Sequence, residues 1–274
     1  MKILLTGASG FLGSALALHW HKDGHRVALL LRPTSKPDRL RGVDAFFDVG
    51  RCTTDDEVAA FIKQVQPEVV VHTACAYGRQ AETSLQLFDA NLRLGLVILQ
   101  ALQNAAQAVS FINSGSALAP EVSPYALSKN QFTQWGRMLA TQSGGQLKFI
   151  NVLLQHMYGP GDDVSKFTTH VLHACQRNDP VLKLTAGEQA RDFIYIDDVV
   201  SAYDTLLKQR HQLEAVLDIE VGSGVAPTIR QFVEIAHRVR SDVHNSLGFL
   251  RRTVAPFLER KDSVRQTDPE NLLW

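Results

Sequence analysis

A tyrosine and a lysine four residues apart, Tyr125 and Lys129, form the pattern in this chain that is most suited to acid–base chemistry. They lie in the segment Ser-Pro-Tyr-Ala-Leu-Ser-Lys, and on a helix this spacing places both side chains on one face. A lysine ammonium beside a phenol favours the phenolate and lowers the pKa of the phenol. The pair is therefore predicted to donate and accept a proton near neutral pH.

A glycine-rich turn near the start of the chain is a second, independent signal. The spacing Gly-x-x-Gly-x-x-Gly follows a predicted strand at 2–6 and opens a predicted helix at 14–22, as a dinucleotide-binding turn requires. Gly7 permits the sharp turn, Gly10 lets a pyrophosphate approach the backbone, and Gly13 lets the helix pack on the strand. A turn that binds nothing is the weaker interpretation, because strand, turn, helix and second strand follow in order. The predicted cofactor contacts in this turn are Gly7, Ser9, Gly10, Phe11, Leu12 and Gly13.

The residues after the next two strands bear on the choice of cofactor. An acidic residue after the second strand, at 26–31, would bind the ribose hydroxyls of NAD. This chain has Arg32 there, which can bind a 2′-phosphate, so NADP is predicted, with NAD as the alternative. The alternative for Arg32 and Lys36 is a pair of solvated loop charges. Asp48 and Val49, at the end of a third predicted strand, are predicted to contact the adenine.

Strands and helices alternate through the first half of the chain. This order predicts an α/β fold, a Rossmann-type doubly wound parallel sheet with a small C-terminal substrate lobe. Residues 1–155 are predicted to form the dinucleotide-binding domain, and 156–274 mostly the substrate lobe, interleaved with the main domain. The further predicted strands are 45–49, 68–72, 110–113, 147–154 and 181–184. The further predicted helices are 55–64, 84–105, 125–142, 166–177 and one that begins at Val199.

Composition excludes several classes of partner. The chain has 274 residues with 28 basic and 28 acidic side chains, 45% hydrophobic and 20% charged residues, which predicts a globular protein that binds neither nucleic acid nor a membrane surface. Its three cysteines form no disulfide framework and no metal-ligand spacing. The chain enters a strand at once, without the pattern of a signal peptide, and no apolar run approaches membrane-spanning length. We expect a cytoplasmic protein.

Taken together, these motifs resemble the extended short-chain dehydrogenase/reductase family, over nearly the whole chain. The resemblance rests on the glycine turn, Val71-His-Thr-Ala-Cys-Ala76, Asn91, the Ser114 region, the Tyr125 and Lys129 pair, Tyr158-Gly-Pro160 and Arg191-Asp-Phe-Ile-Tyr-Ile-Asp-Asp-Val199. It implies that the segment after the fourth strand lines the cofactor, with contacts from Thr73, Ala74 and Cys75. It also implies a structural role for Asn91 near the active site and a homodimer formed through the helices at 84–105 and 125–142.

The resemblance further implies a catalytic Ser or Thr just after the fifth strand. In Phe-Ile-Asn-Ser-Gly-Ser, Ser114 matches it best and Ser116 is the second candidate, which we also place at the substrate. His156 and Arg191 are the other predicted substrate contacts, Arg191 to a sugar-nucleotide diphosphate. An ion pair of Arg191 with Asp192 or Asp197 is the alternative. Arg230 and Arg260 are weaker candidates for the diphosphate.

Within that family, the segments around Tyr125 and Arg191 are similar to nucleotide-sugar enzymes, and most to the CDP-abequose and CDP-paratose synthase-like group of NADP-dependent 4-keto-sugar reductases. Sugar-nucleotide 4,6-dehydratases carry Asp-Glu after the catalytic hydroxyl residue, where this chain has Gly115 and Ser116. The predicted reaction is reduction of a nucleotide-linked 4-keto-6-deoxy sugar by NADPH. The alternatives are an NAD-retaining nucleotide-sugar 4-epimerase and a non-catalytic NADP-binding regulator. We also expect a carboxyl-terminal lobe shorter than in most relatives.

Three histidines in or just after the first helix have a spacing that could mimic a metal site. These are His19, His21 and His25, but we expect no carboxylate or cysteine to complete the set, so they are interpreted as surface residues. No metal is therefore predicted.

Overall fold

The computed structural model describes residues 1–239, except 104 and 106, and a short strand at 264–266. Arg260, one of the weaker candidates for the diphosphate, lies outside the described residues. The strands are β1 Lys2–Thr6, β2 Arg26–Leu31, β3 Asp48–Arg51, β4 Val69–His72, β5 Val109–Ser114, β6 Leu147–Leu154, β7 His156–Tyr158, β8 Phe193–Tyr195, β9 Val216–Val221 and β10 Val264–Gln266. The helices are α1 Phe11–Lys22, α2 Asp55–Val65, α3 Ser84–Phe88, α4 Leu94–Leu102, α5 Pro124–Gln142, α6 Phe167–Gln176, α7 Ile196–Gln209 and α8 Ile229–Arg238.

The main sheet has the order β10-β9-β6-β5-β4-β1-β2-β3. Strand β1 lies at the point where the chain reverses direction across the sheet, because β2 and β4 pair with its two edges, both in parallel. Strands β7 and β8 form a separate two-stranded parallel sheet. The predicted Rossmann-type doubly wound sheet is therefore confirmed.

Near-continuous apolar strands hold this sheet together. Ile3, Leu4 and Leu5 of β1 are completely buried, as are Val69, Val70 and Val71 of β4. A parallel sheet covered by helices on both faces requires such strands, because neither face meets water.

Local capping signals set the beginnings of several helices. Thr54, Thr83 and Thr228 each accept a hydrogen bond from the third helical residue in a capping box that starts α2, α3 and α8. Ser123 caps α5 at the backbone N–H of Ala126, and a proline occupies the first helical position. The cap places Tyr125 in the first turn of α5.

Three predicted elements differ from the structure. Strand β3 begins at Asp48, three residues later than expected. The helix expected at 84–105 is three segments, since a π-helical turn at Asp89–Arg93 separates α3 from α4. The strand expected at 181–184 is absent, since those residues have no regular secondary structure. Apolar content alone predicted that strand, and no neighbouring strand pairs with it.

The described chain divides into two compact units. One contains Met1–Leu153 and Tyr203–Ile219, and the other contains Leu154–Ala202 and residues 220–239. The second unit has its own apolar cluster, in which Tyr158, Phe193 and Phe232 pack against α6. The assignment of a substrate lobe to this part of the chain stays a prediction.

One helical stretch, Ser84–Leu102, is long and apolar enough by length and composition to cross a membrane, with a mean hydropathy of 1.3. Asp89 and Arg93 interrupt it, and Ile98, Leu99 and Leu102 belong to the apolar cluster that packs on the sheet. The core helices of soluble proteins have these features.

Candidate active site

The glycine turn lies between the carboxyl end of β1 and the start of α1. A Cβ on Gly7 would lie 2.5 Å from Thr73 Oγ1, and a Cβ on Gly13 would lie 2.3 Å from the carbonyl oxygen of Gly7. Gly7 also has a φ of +73°, which side chains rarely adopt. Gly10 caps α1 without a side chain, so no side-chain oxygen competes for the N–H groups of the first helical turn. The cradle therefore fits a pyrophosphate.

Hydrogen bonds between the ends of β1 and β4 hold this turn in place. Thr73 Oγ1 donates to the carbonyl oxygen of Thr6 at 2.8 Å, and the backbone N–H of Ala74 donates to Thr6 Oγ1 at 3.2 Å. His72 Nδ1 lies 2.9 Å from the same Thr6 hydroxyl. Burial lowers the pKa of His72 to about 3, with a further contribution from the charge of Lys129. His72 is therefore neutral and structural.

A cluster of arginines organises the loop after β2. Arg32 is exposed there, and its contact with the cofactor stays a prediction. Arg51, at the carboxyl end of β3, donates through Nη1 to the carbonyl oxygens of Pro33 and Ser35, at 3.1 and 3.0 Å. Arg39 donates through Nη1 to the carbonyl oxygen of Ser9 in the glycine turn, at 3.1 Å. Sequence reasoning missed Arg51, because the third strand was predicted too early.

The same shift moves Asp48 and Val49 away from the carboxyl edge of the sheet. Asp48 is the first residue of β3 and pairs with Ala28, while Arg51 pairs with Leu31 at the other end. The Asp48 carboxylate forms an ion pair with Arg26, at the start of β2, at 2.9 Å. The prediction that these two residues contact the adenine is therefore wrong, because nucleotides bind at the carboxyl ends of the strands.

Tyr125, Lys129 and Ser116 come together at the start of α5 and the end of β5. The Ser116 side chain lies beside Tyr125 and lowers the pKa of its phenol. Lys129 is 1% exposed, and its Nζ has no hydrogen-bond partner among the residues that the structure describes. A buried ammonium without a partner is costly, so this atom fits a polar ligand group such as a ribose hydroxyl.

Ser114, the preferred candidate for the catalytic hydroxyl, has a different partner. Its Oγ lies 2.6 Å from Tyr203 Oη, and Tyr203, on α7, is completely buried. Successive residues of a strand point to opposite faces, so Ser114 and Ser116 would share a face if the strand continued. Ser116 lies just beyond the end of β5, however, and contacts Tyr125. The structure thus places Ser116 beside Tyr125, and Ser114 beside Tyr203.

The expected lowering of the Tyr125 pKa by Lys129 is wrong. Burial raises the pKa of Tyr125, and the charge of a Cys75 thiolate would raise it further. The hydrogen bond from Ser116 and the charge of Arg79 lower that pKa but do not outweigh burial. Burial also lowers the pKa of Lys129, since desolvation disfavours its charged form.

Asn91 ties the segment after β4 to α5. Its side chain accepts a hydrogen bond from the backbone N–H of Ala76 at 2.7 Å and donates to the carbonyl oxygen of Ala76 at 2.9 Å and to Ser128 Oγ at 3.0 Å. Asn91 is completely buried within the π-helical turn. Such turns often occur at functional sites. These contacts hold the segment that follows Cys75 to α5.

The remaining predicted substrate residues lie in the second unit. His156 is exposed and packs edge-on against Phe193. Arg191 is exposed and donates to the carbonyl oxygen of Ala190 at 2.8 Å, while Asp192 accepts hydrogen bonds from Ser223 and Gly224 instead. Arg230 pairs with Glu188 at 3.0 Å. The diphosphate role of Arg191 stays a prediction.

One histidine of the first helix does have carboxylate neighbours. His19 Nε2 lies 3.5 Å from Asp23 Oδ2 and 3.8 Å from Asp204 Oδ1. The reasoning that no carboxylate completes this set is therefore wrong, because Asp204 comes from α7, far away in sequence. Lys208 Nζ lies 2.6 Å from Asp204 Oδ2 and supplies a competing positive charge.

The fold and the glycine turn define a Rossmann-type dinucleotide-binding protein. Residues 3–222 match the model of the NAD dependent epimerase/dehydratase family, so the chain belongs to that family. It is an enzyme of the NAD(P)-dependent oxidoreductase type.

Relatives with assigned activities span most of the chain. A CDP-abequose synthase of Salmonella typhimurium is 29% identical over 241 residues, which cover 84% of this chain and 78% of the relative. A dTDP-4-dehydro-6-deoxyglucose reductase of Escherichia coli is 24% identical over 260 residues, which cover 85% of this chain and 79% of the relative.

Solved structures share the fold. The UDP-glucose 4-epimerase of Thermotoga maritima, solved with UDP-glucose, has a TM-score of 0.75 at 20% identity and covers 88% of this chain and 83% of its own. The UDP-glucose 4-epimerase of Thermus thermophilus, solved with NAD, has a TM-score of 0.73 at 22% identity and covers 88% of this chain and 84% of its own.

Proposed function

We propose that this enzyme reduces the ketone of a nucleotide-linked 4-keto-6-deoxy sugar with NADPH. The observation that carries the proposal is the approach of the Ser116 hydroxyl to Tyr125, together with the buried Lys129 Nζ, which has no hydrogen-bond partner among the described residues. The similarity to CDP-abequose synthases and to a dTDP-4-dehydro-6-deoxyglucose reductase supports the class of substrate.

The proposed chemistry uses three side chains. NADPH, when bound, supplies a hydride to the ketone carbon. Tyr125 Oη donates its proton to the ketone oxygen as that oxygen becomes an alkoxide. Ser116 Oγ binds the same oxygen and orients it. Lys129 would hold the nicotinamide ribose through Nζ, and the N–H groups at the start of α1 would hold the pyrophosphate.

The absence of acidic residues beside the hydroxyl supports a reductase over a dehydratase. With Ser116 as the catalytic hydroxyl, the next two residues are Ala117 and Leu118, and with Ser114 they are Gly115 and Ser116. Neither pair offers a carboxylate that could remove and return a proton in an elimination.

The cofactor preference rests on the arginines after β2 and β3. Arg32 is exposed, and Arg51 and Arg39 hold the surrounding loop and the glycine turn. Three guanidinium groups favour a phosphate at the 2′ position over a free hydroxyl, since arginine binds phosphate through charge-assisted hydrogen bonds. NADP is therefore the proposed cofactor.

A paired titration tests the proposal. Purified enzyme is titrated with NADPH and NADH, read by nicotinamide fluorescence, in the wild type and in Arg32→Ala. We expect a preference for NADPH that Arg32→Ala reduces, followed by turnover with 4-keto sugar nucleotides. The matched control is Arg41→Ala, since Arg41 is exposed and paired with Asp38 at 3.0 Å.

The other outcomes of this titration lead to other functions. Preference for NADH, or protein purified with NAD already bound, would favour the 4-epimerase, the activity for which the two solved neighbours are named. Binding of NADPH without turnover of any sugar nucleotide would favour the non-catalytic regulator. Failure to bind either nucleotide would contradict the proposal as a whole.

We also propose that the enzyme is a cytoplasmic homodimer. Apolar side chains are exposed on the helices predicted to pair between subunits, and three free cysteines suit a reducing compartment. The exposed apolar residues on these helices are Leu85, Phe88, Leu127, Trp135 and Met138.

A further inference from the structure

A short loop after β4 carries an aromatic and a basic side chain that sequence reasoning did not use. Its start is held by the Asn91 hydrogen bonds to Ala76, and its end by the Thr83 capping box of α3. Between these anchors Gly78 has a φ of +72°, a backbone conformation that favours glycine, and the chain bends there between Tyr77 and Arg79.

Tyr77 lies against the proton donor. Its ring centroid is 5.0 Å from that of Tyr125, with 32° between the ring planes. Although Tyr77 is an aromatic residue, it is 45% exposed, so the side chain is not buried in the core. Aromatic pairs at this distance restrict each other's orientation. Tyr77 therefore limits the positions that the Tyr125 phenol can adopt.

Arg79 continues this stack. Its guanidinium carbon lies 5.6 Å from the Tyr77 ring centroid, a cation–π distance. Within the described residues no carboxylate is in ion-pair contact with Arg79, so its charge is available to the site. Burial raises the pKa of Tyr125, and Arg79 is the cation that opposes this effect.

We propose that Tyr77 and Arg79 are positioning residues for the proton transfer from Tyr125. This inference rests on the proposed reduction. When the Tyr125 Oη–H bond breaks and the proton moves to the substrate alkoxide, a phenolate remains on Tyr125. Arg79 stabilises that phenolate electrostatically, and Tyr77 holds both groups in line. Proton return from solvent restores the phenol.

The groups that face Tyr125 come from three parts of the chain. Cys75 and Arg79 follow β4, Ser116 follows β5, and Lys129 lies one turn further along α5. Of these, Arg79 is the exposed cation, and its removal leaves the other three side chains in place.

The test compares Arg79→Gln, Arg79→Lys and Tyr77→Ala with the wild type. We measure kcat and KM for NADPH, and the ultraviolet absorbance of ionised tyrosine with NADP⁺ bound, after subtraction of Tyr125→Phe spectra. Arg79→Gln is expected to ionise Tyr125 at higher pH and to lower kcat about tenfold at neutral pH, with KM for NADPH unchanged. Arg79→Lys retains charge and should recover part of the loss, and Tyr77→Ala removes the ring that holds Arg79 and should lower kcat in the same direction.

The matched control is Arg93→Gln, since Arg93 is exposed and pairs with Asp55 at 2.7 Å, away from Tyr125. The inference is wrong if Arg79→Gln leaves the ionisation of Tyr125 unchanged, or if Arg93→Gln has the same effect. Absence of wild-type turnover with 4-keto sugar nucleotides would overturn the proposed reaction instead, and the absorbance titration would still decide the role of Arg79.

Discussion

Two regions of the first unit meet the proposed cofactor in opposite ways. The tyrosine corner, formed by Ser114, Ser116, Tyr125, Lys129 and Tyr203, is largely buried, and hydrogen bonds tie most of its side chains together. The arginine loop, formed by residues 32–39 with Arg51, is largely exposed, and its guanidinium groups bind backbone carbonyls. Burial makes desolvation the dominant influence in the corner, whereas water screens the charges of the loop.

This difference separates two tasks. Proton transfer needs groups whose positions vary little and whose pKa values depend on a dry environment. Discrimination between two cofactors needs only a moderate difference in binding free energy, which exposed arginines can supply. Substitutions in the corner should therefore change rates strongly, and substitutions in the loop should change affinities modestly.

The largest expected effect is that of Tyr125→Phe. Loss of the phenol proton removes the general acid, and kcat should fall roughly a hundred- to ten-thousand-fold. The NADPH dissociation constant, measured by nicotinamide fluorescence, should stay close to the wild-type value. Turnover at the wild-type rate would remove Tyr125 from the proposed mechanism.

Two serine substitutions test which hydroxyl of the tyrosine corner acts in catalysis. Ser116→Ala should lower kcat roughly a hundredfold, because the substrate oxygen and Tyr125 both lose a hydrogen-bond partner. Ser114→Ala should leave kcat within a few-fold and instead destabilise the fold by about 1–3 kcal/mol, because the buried Tyr203 hydroxyl loses its partner. Steady-state kinetics and urea unfolding of both variants check this, and the reverse pattern would assign catalysis to Ser114.

The buried, neutral His72 predicts that the free energy of unfolding depends on pH. Its folded pKa of about 3 lies below the unfolded value of 6.5, so between these values the unfolded chain binds the extra proton. Stability is fully present above pH 6.5 and declines as the pH falls. From pH 6.5 to 5 the wild type should lose about 2 kcal/mol more than His72→Gln. Urea unfolding at both pH values checks this, with exposed His211→Gln expected to match the wild type.

The smallest expected effect lies in the arginine loop. Arg51→Ala removes the guanidinium that holds the carbonyl oxygens of Pro33 and Ser35. NADPH affinity should fall about tenfold at low salt and less at high salt, since exposed charges are screened. NADH affinity should change less. Equal losses for both nucleotides would show that Arg51 supports the loop without selecting the phosphate.

The amino-acid sequence by itself determined the sheet and the phosphate turn. Apolar strands at 2–6, 26–31 and 147–154 and the spacing of Gly7, Gly10 and Gly13 are local patterns, and the structure has those strands at Lys2–Thr6, Arg26–Leu31 and Leu147–Leu154. Such patterns act over a few residues, so they can be recognised without knowledge of the fold. The start of β3 was the exception, because Ala45 to Phe47 are as apolar as a strand.

Only the tertiary structure decided which side chains meet. Sequence reasoning favoured Ser114 over Ser116, and it could not foresee that the distant Tyr203 on α7 contacts Ser114. The approach of Arg79 to Tyr125 through Tyr77 and that of Asp204 to His19 likewise join residues far apart in the chain. The pKa of Tyr125 follows the same rule. The lysine four residues away led to the prediction of a lowered pKa for Tyr125. Burial raises that pKa instead, and burial depends on tertiary packing, which the spacing of two residues in the sequence does not show.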